Sequence, residues 1–319
     1  MRRTSIKQLV AVLFLSAACA GQTNFASPVG SAAPVPPGQT VVALPNIGGS
    51  LKFAVIGDMG VGTRPQYEVA QQMESQRQRF DFKTVIMVGD NLYGPERPAD
   101  YVRKFELPYA ALLNAGVKFY ATLGNHDERE QRLYRHFNMN GENYYSFKAP
   151  NQDVRFFMLE STYPDATQLQ WMNREMSGAK ETWKIAVFHH PPYSSGGRHG
   201  SNLPIRRAWE PLFVKYNVSV VFTGHEHFYE RLKPQKGILH FITGAAGKLS
   251  PGDIREGSAL TAAGYDRDQS FMLVEIEDDV MFYQSVTRTG EVVDSGTWTR
   301  RFTADEKTDI GTAVPAFAR

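Results

Sequence analysis

One short stretch constrains the fold more than any other: an apolar run that ends in a glycine and a carboxylate. Residues 84–88 are bulky and mostly β-branched or apolar, which indicates a buried strand. Gly89 and Asp90 follow directly, and Tyr93 belongs to the same loop. Because ligands of open α/β sheets bind beyond the carboxyl ends of the strands, Asp90 is placed where a ligand would bind. Taken alone, however, a strand that ends in Gly-Asp is often only a turn.

The same arrangement recurs along the chain, each time with a residue type that binds metals. Further strands are predicted over residues 51–56, 118–123, 184–188 and 218–222. The polar residues that follow the strand ends are Asp58, Asp90, Asn125 with His126, His189, and His225 with His227. If these strands share one sheet with a common edge, the side chains converge. The sequence therefore predicts an α/β protein with a functional site at that edge.

The remaining predicted elements are helices and further strands. Helices are expected over residues 65–80, 99–114 and 168–176, with a further short helix that carries Trp209. Pro108 must kink or split the second of these helices. Further strands are expected over residues 143–147, 154–159 and 238–242, and antiparallel strands over residues 270–302.

The donor types at the strand ends indicate a particular kind of metal site. A mixture of Asp, Asn and His suits zinc, iron or manganese better than calcium or a thiolate-bound metal. The set is too large for one tetrahedral ion, whereas two ions bridged by one carboxylate would use all of its members. Pairs of metal ions are a known solution for cleaving phosphoesters.

Each residue also has a purely structural explanation when it is considered alone. Asp58 would cap the following helix, and Tyr93 would be an ordinary core aromatic. His225 and His227 would be a surface pair on one strand, and His199, in a Gly/Ser-rich loop, would be exposed to solvent. These explanations are improbable together, because the residues recur after predicted strands and mostly after a glycine. Their joint occurrence favours a functional site.

Together the motifs resemble the calcineurin-like metallophosphoesterase superfamily. The motifs are Asp58-Met59-Gly60, Gly89-Asp90-Asn91-Leu92-Tyr93, Gly124-Asn125-His126-Asp127, His189-His190-Pro191 and Gly224-His225-Glu226-His227. The tyrosine of the second motif, and glycine rather than histidine at position 60, are similar to the purple acid phosphatase branch in its short, animal-type layout. The resemblance implies a four-layer α/β/β/α sandwich, with two mixed β-sheets flanked by helices and a dimetal site at the strand carboxyl ends.

The resemblance also implies a role for each residue. The first metal, expected to be Fe(III), would be held by Asp58, Asp90, Tyr93 and His227. The second, expected to be Fe(II), Zn(II) or Mn(II), would be held by Asn125, His189 and His225, with Asp90 as the bridge. In the His-x-Pro pattern the first histidine is the ligand, which selects His189 over His190. His126 would be catalytic and contact the phosphate with Asn125. His199 would bind substrate and resembles the loop histidine that acts as the acid to the leaving group, although His126 is the alternative proton donor.

The function implied is that of an exported acid phosphatase, a dimetal hydrolase that cleaves phosphate monoesters by in-line attack of a metal-bound hydroxide. A phosphodiesterase acting on nucleotides or phospholipid head groups is the alternative, because the same dimetal core serves both. A non-catalytic metal-dependent binding module ranks lower, since it would predict the loss of a ligand. The expected partner is a small phosphorylated substrate, and the sequence leaves its identity and the oligomeric state undetermined.

The N-terminus predicts export. A basic lead is followed by an apolar segment over residues 9–18 that is too short to span a bilayer, and Ala18-Cys19-Ala20 offers a small-x-small cleavage site. A signal peptide is therefore expected over residues 1–20, with a destination in the periplasm, outside the cell or at the cell envelope. Cys19, the only cysteine, lies where a lipoprotein would be acylated, so a lipid anchor and simple removal are both open.

Composition defines the rest of the organisation. Residues 21–50 are rich in Pro, Ala, Gly and Ser and are expected to be a flexible linker. The metallophosphoesterase domain is expected over residues 51–303, and a loose tail over 304–319. The formal net charge of only +2 gives no reason to expect nucleic acid as a partner.

Overall fold

The protein is described from a computed structural model, which covers residues 43–150 and 152–300. The predicted signal peptide, the linker up to residue 42 and the predicted tail lie outside the described residues. In the described end of the linker, the backbone N–H groups of Asn46 and Ile47 donate to the Glu275 carboxylate, at 2.7 and 2.6 Å. Of the helices that can be described, none combines the length and the apolar character needed to cross a bilayer.

The described residues form two mixed β-sheets. Sequence order gives β1 Leu51–Ile56, β2 Thr84–Met87, β3 Lys118–Ala121, β4 Tyr145–Lys148, β5 Val154–Met158, β6 Trp183–Val187, β7 Val220–Thr223, β8 Tyr229–Leu232, β9 Leu239–Thr243, β10 Thr261–Tyr265, β11 Ser270–Glu277, β12 Val280–Thr287 and β13 Val292–Thr299. Within this part of the chain one sheet has six strands in the order β13-β12-β11-β1-β2-β3, and the other has seven in the order β10-β8-β9-β7-β6-β5-β4. Strands β1, β2 and β3 are parallel to one another, as are β5, β6, β7 and β9.

Helices cover the outer faces of both sheets. Their bounds are α1 Arg64–Arg77, α2 Pro98–Tyr101, α3 Ala110–Asn114, α4 Ala166–Gly178 and α5 Leu203–Lys215. Phe53 of β1, Phe156 of β5 and Phe222 of β7 pack together between the sheets and are at most 1% exposed. Met73 of α1 belongs to the core outside the six-stranded sheet, and Trp209 of α5 to the core outside the other. Each sheet has one apolar face against the other sheet and one against helices, which explains the four layers. The predicted α/β/β/α sandwich is therefore confirmed.

The structure confirms one predicted helix break and adds two strands that were not predicted. Pro108 splits the predicted helix over 99–114 as expected, because α2 continues into a π-helical turn at Val102–Glu106 and α3 begins only at Ala110. Strands β8 and β10 were not predicted. The first is only four residues long, and the second is rich in small residues, so neither carries a strong alternating pattern.

Candidate metal centre

The predicted strand-end residues come together at the carboxyl ends of strands from both sheets, rather than along the edge of one sheet. Asp58, Asp90 and Asn125 follow β1, β2 and β3 of the six-stranded sheet. His189 and His225 follow β6 and β7 of the seven-stranded sheet. Because the sheets pack face to face with these carboxyl ends at the same end of the sandwich, loops from both sheets supply one site. The local pattern gave only the condition of one shared sheet, because strand pairing between distant segments cannot be read from local patterns.

The backbone of this site adopts left-handed conformations that non-glycine residues rarely take. Asp58, Asp90 and His225 have φ angles of +54°, +51° and +69°. Such conformations cost of order 1–3 kcal/mol each and persist where the surroundings enforce them. Here the surroundings include two hydrogen bonds between loops: His225 N donates to Asp58 Oδ2 at 3.0 Å, and His126 N donates to Asp90 Oδ1 at 2.9 Å. The turns thus aim the carboxylates inward and join the two sheets.

The first cluster contains Asp58, Asp90, Tyr93 and His227. Ligand atoms of Asp58, Asp90 and His227 lie within 4.8 Å of one another. The Tyr93 hydroxyl donates to Asp58 Oδ1 at 2.9 Å and lies 3.1 Å from His227 Nε2. Four donor atoms of these types in one buried place match an oxygen-rich site with one imidazole.

The second cluster contains His189, Asn125 and His225. His189 Nε2 lies 3.1 Å from Asn125 Oδ1 and 3.3 Å from His225 Nδ1. His189 Nδ1 lies 3.0 Å from the carbonyl oxygen of Val88, which can only accept, so Nδ1 carries the proton and Nε2 offers its lone pair. His189 Nε2 also lies 3.3 Å from Asp90 Oδ1, which places Asp90 between the two clusters.

These side chains fit the two metal ions that the sequence pattern suggests. The carboxylates of Asp58 and Asp90 are at most 1% exposed, and like charges at such depth are costly unless cations compensate them. Burial, together with the charges of Asp58 and Asp90, raises the pKa of Tyr93. Burial lowers the pKa of His225, assisted by the neighbouring histidines. The imidazole is thereby kept in its neutral, metal-binding form, and the phenol would ionise only next to a strong cation.

The two predicted catalytic histidines lie on either side of the clusters. The His126 ring lies 4.7 Å from the Tyr93 ring, beside the first cluster. The His199 ring stacks on that of His225 at 4.2 Å with an angle of 29° between the planes, beside the second cluster. Both histidines are exposed, so a substrate in solvent could reach their imidazoles.

Two neighbouring residues received no role from the sequence. His190 has a ring nitrogen within 4.8 Å of those of His189 and His225, and its Nδ1 lies 3.0 Å from the Ser161 hydroxyl. The same hydroxyl accepts the N–H groups of His189 and His190. The choice of His189 over His190 remains a prediction, although only His189 contacts Asp90 and Asn125 among the described bonds. The doubled histidine was the signal for His190, whereas Ser161 has no local signature.

Two lysines and one aspartate hold the loop that carries Tyr93. The buried Lys104 ammonium donates to the carbonyl oxygens of Tyr93 and Pro95, at 2.6 and 2.8 Å. Lys248 Nζ lies 4.4 Å from the centre of the Tyr93 ring, which is a cation–π contact. Asp127 accepts the N–H of Leu92 at 3.0 Å and that of Asn91 at the same distance. None of these roles could be inferred from the sequence, because each depends on contact between distant segments.

Gly60 provides a test of how tightly this loop is packed. A Cβ atom at Gly60 would lie 1.9 Å from the backbone oxygen of Asn91 and 2.7 Å from Leu92 Cα. We expect Gly60→Ala to lower the free energy of unfolding by about 1–3 kcal/mol, because the clash is with backbone that carries Tyr93. Urea denaturation would measure this change in the free energy of unfolding. Gly178, where an added Cβ meets nothing within 4 Å, is the control, and an equal loss in Gly178→Ala would contradict this explanation.

The chain matches a known protein family and is similar to known proteins. Residues 51–229, more than half of the chain, match the family described as Calcineurin-like phosphoesterase. Tartrate-resistant acid phosphatase type 5 of Oryctolagus cuniculus is 24% identical over 243 residues, covering 63% of this chain and 74% of that protein. Purple acid phosphatase 17 of Arabidopsis thaliana is 27% identical over 241 residues, covering 65% and 71%.

Solved structures show the same fold. The purple acid phosphatase from yellow lupin (Lupinus luteus) seeds has a TM-score of 0.68 at 17% identity, covering 84% of this chain and 58% of that one. GAP50, described as the anchor in the inner membrane complex of Plasmodium, has a TM-score of 0.68 at 19% identity, covering 80% and 90%. At these identities the likeness concerns the fold alone.

Proposed function

The chain belongs to the calcineurin-like phosphoesterase family, and from that premise we propose that it is an acid phosphatase that hydrolyses small phosphate monoesters. The family predicted from the motifs is confirmed by the match over residues 51–229. The observation that carries the proposal is the joining of two donor clusters at Asp90, between Tyr93 on one side and His189 on the other. The acid phosphatases among the relatives support the choice of reaction.

We propose the following assignment of the ligands. The first ion is held by Asp58, Asp90, Tyr93 and His227, and the second by Asp90, Asn125, His189 and His225. Two carboxylates and a phenol oxygen are hard, anionic donors, which favours Fe(III) in the first site. The second set has two imidazoles and an amide oxygen beside Asp90, which suits Fe(II), Zn(II) or Mn(II).

The chemistry divides between the ions and the side chains. The two ions, when bound, would offset the charge of the phosphate and provide an activated water as the nucleophile. His126 and Asn125 are exposed beside the clusters and would hold the phosphate oxygens. His199, on the opposite side, would give a proton to the ester oxygen as the P–O bond breaks, so that the alcohol leaves neutral. Water supplies the oxygen that remains on phosphate, and the products are an alcohol and inorganic phosphate.

Export and the domain boundaries are proposed from the sequence. The mature protein would begin after a signal peptide over residues 1–20, with Cys19 either acylated or removed, and its catalytic domain would span residues 51–303. Mass analysis of the N-terminus of protein extracted from membranes would distinguish acylation from removal.

The substrate class can be tested by comparing an aryl phosphate monoester with its matching diester on the purified, metal-loaded protein. We expect kcat/KM to be at least about 10-fold higher for the monoester, because its second negative charge is stabilised by two cations. An optimum at acidic pH would support the acid phosphatase proposal and a histidine that protonates the leaving group.

Other outcomes would change the function in defined ways. A higher rate with the diester would contradict the monoesterase proposal and favour the phosphodiesterase alternative with the same site. If neither ester reacts while two ions are bound, the protein is not a general phosphatase, and the lower-ranked binding module gains support. All the proposed ligands are present in the chain, which argues against that module.

A further inference from the structure

His199 lies in the loop over residues 194–202, and several groups of this loop contact one buried carboxylate, that of Glu226. Glu226 lies between His225 and His227 in the sequence and is fully buried. Its Oε1 accepts the Ser194 hydroxyl at 3.0 Å and the Gly200 N–H at 2.7 Å, so both ends of the loop are attached to it. A carboxylate at this depth with two donors on one oxygen has a defined orientation.

The second oxygen of Glu226 points to His199. Oε2 lies 3.5 Å from His199 Nδ1, and it accepts no hydrogen bond from the described residues. A short movement of the His199 ring would form this bond, and catalytic contacts are often long before the substrate binds. A Cβ atom at Gly196 would lie 2.4 Å from Glu226 Oε1, so the loop backbone passes directly across the carboxylate.

We propose that Glu226 is a positioning residue for His199. In the imidazolium form of His199 both ring nitrogens carry a proton: Oε2 accepts the Nδ1–H and orients the ring, and the Nε2 proton passes to the ester oxygen as the P–O bond breaks, which leaves a neutral imidazole. The stacking of His199 on His225 fixes the plane of the ring, and Glu226 fixes its rotation within that plane. The inference rests on the proposed function, because it assumes that His199 protonates the leaving group.

The chain contains a matched control for a purely structural role. Glu230 is also fully buried and also holds this loop, since it accepts the Ser195 N–H at 3.1 Å and the Ser195 hydroxyl at 2.5 Å. Thr261 donates to Glu230 as well, at 2.5 Å. No bond between Glu230 and His199 occurs in the described part of the chain. The effect of loosening the loop can therefore be measured separately from the effect of losing the contact between Glu226 and His199.

The test uses two substrates that differ in their need for a proton. An alkyl phosphate requires protonation of its leaving oxygen, whereas 2,4-dinitrophenyl phosphate leaves as a stable anion. We expect Glu226→Gln to lower kcat for the alkyl ester by about 10- to 100-fold and for the dinitrophenyl ester by less than about 3-fold. Glutamine retains an oxygen for Ser194 and Gly200 but cannot accept from Nδ1. Glu230→Gln should change both rates by the same factor.

His199→Ala separates this proposal from the proposed function. It should show the same dependence on the leaving group, and Glu226→Gln should add no further loss in its background. If His199→Ala is selective but Glu226→Gln affects both esters equally, the positioning role is wrong while the acid role stands. If neither variant is selective, both are wrong. Metal content and thermal stability are measured for each variant. If Glu226→Gln does not fold, Glu226→Asp, which retracts the carboxylate from His199, is tested with the same two esters and the same expected outcomes.

Discussion

Replacing Asp90 with asparagine is expected to lower phosphate release by more than about 100-fold, because Asp90 lies between the two clusters and is the proposed bridge. The fold should survive, since asparagine tolerates the left-handed backbone at φ +51° and can accept the His126 N–H that Asp90 accepts now. The measurement is the rate of aryl phosphate hydrolysis, with metal content determined on the same preparation. We expect at least one of the two ions to be lost or weakly bound.

Asp294→Asn is the matched control for this variant. Asp294 is also buried, but it accepts from the Tyr229 hydroxyl and the Arg231 guanidinium, and none of its described bonds is to a proposed ligand. Its replacement should reduce thermal stability and leave the turnover of the folded protein unchanged. Retained turnover in Asp90→Asn, in a preparation free of contaminating phosphatase, would rule out the dimetal site as assigned.

Replacing Tyr93 with phenylalanine is expected to abolish the visible absorption band of the iron-loaded protein. Such a band arises when a phenolate donates charge to Fe(III), and Tyr93 is the phenol proposed to bind the first ion. Its hydroxyl already contacts Asp58 and His227. Because burial and two carboxylates raise the pKa of Tyr93, its ionisation requires a strongly charged cation. The visible spectrum and the iron content, measured together, test this assignment.

Tyr101→Phe provides the comparison for the spectrum. The Tyr101 hydroxyl donates to Glu96 at 3.1 Å, so this phenol lies near the same loop without belonging to either cluster. The band should persist in Tyr101→Phe with full intensity. A band of unchanged position and intensity in Tyr93→Phe, with iron bound, would show that another group binds the Fe(III).

The local prediction of strands succeeded where each strand carries its own signal. The runs that became β1, β2, β6 and β7 are short, apolar and buried on both faces, as strands inside a two-sheet sandwich must be. The late strands β11 to β13 were also predicted. Helix α4 begins at Ala166, before the predicted start at residue 168, because Asp165 caps it by accepting the Gln168 N–H at 2.7 Å. That capping signal, an aspartate just before the first helical residue, is present in the sequence.

The candidate site was predictable as a set of residues but not as a geometry. The strand-end motifs contain all nine proposed site residues except His199, whose loop is identified by resemblance. The two sheets were implied by the resemblance, whereas the left-handed backbone at Asp58, Asp90 and His225 became visible only in the structure. Glu226 was quoted in a motif without a role, because its partners lie 26 to 32 residues away along the chain.

The sequence by itself determined which chemistry the protein can support. Residue types at strand ends, and the glycines beside them, are local properties, and together they identify the family and the kind of metal site. Only the tertiary structure decided which strands pair and which buried groups hold the loops. The physical reason is that these features depend on contacts between segments distant in sequence, such as His225 with Asp58 and His199 with Glu226. Packing, rather than local propensity, selects such contacts.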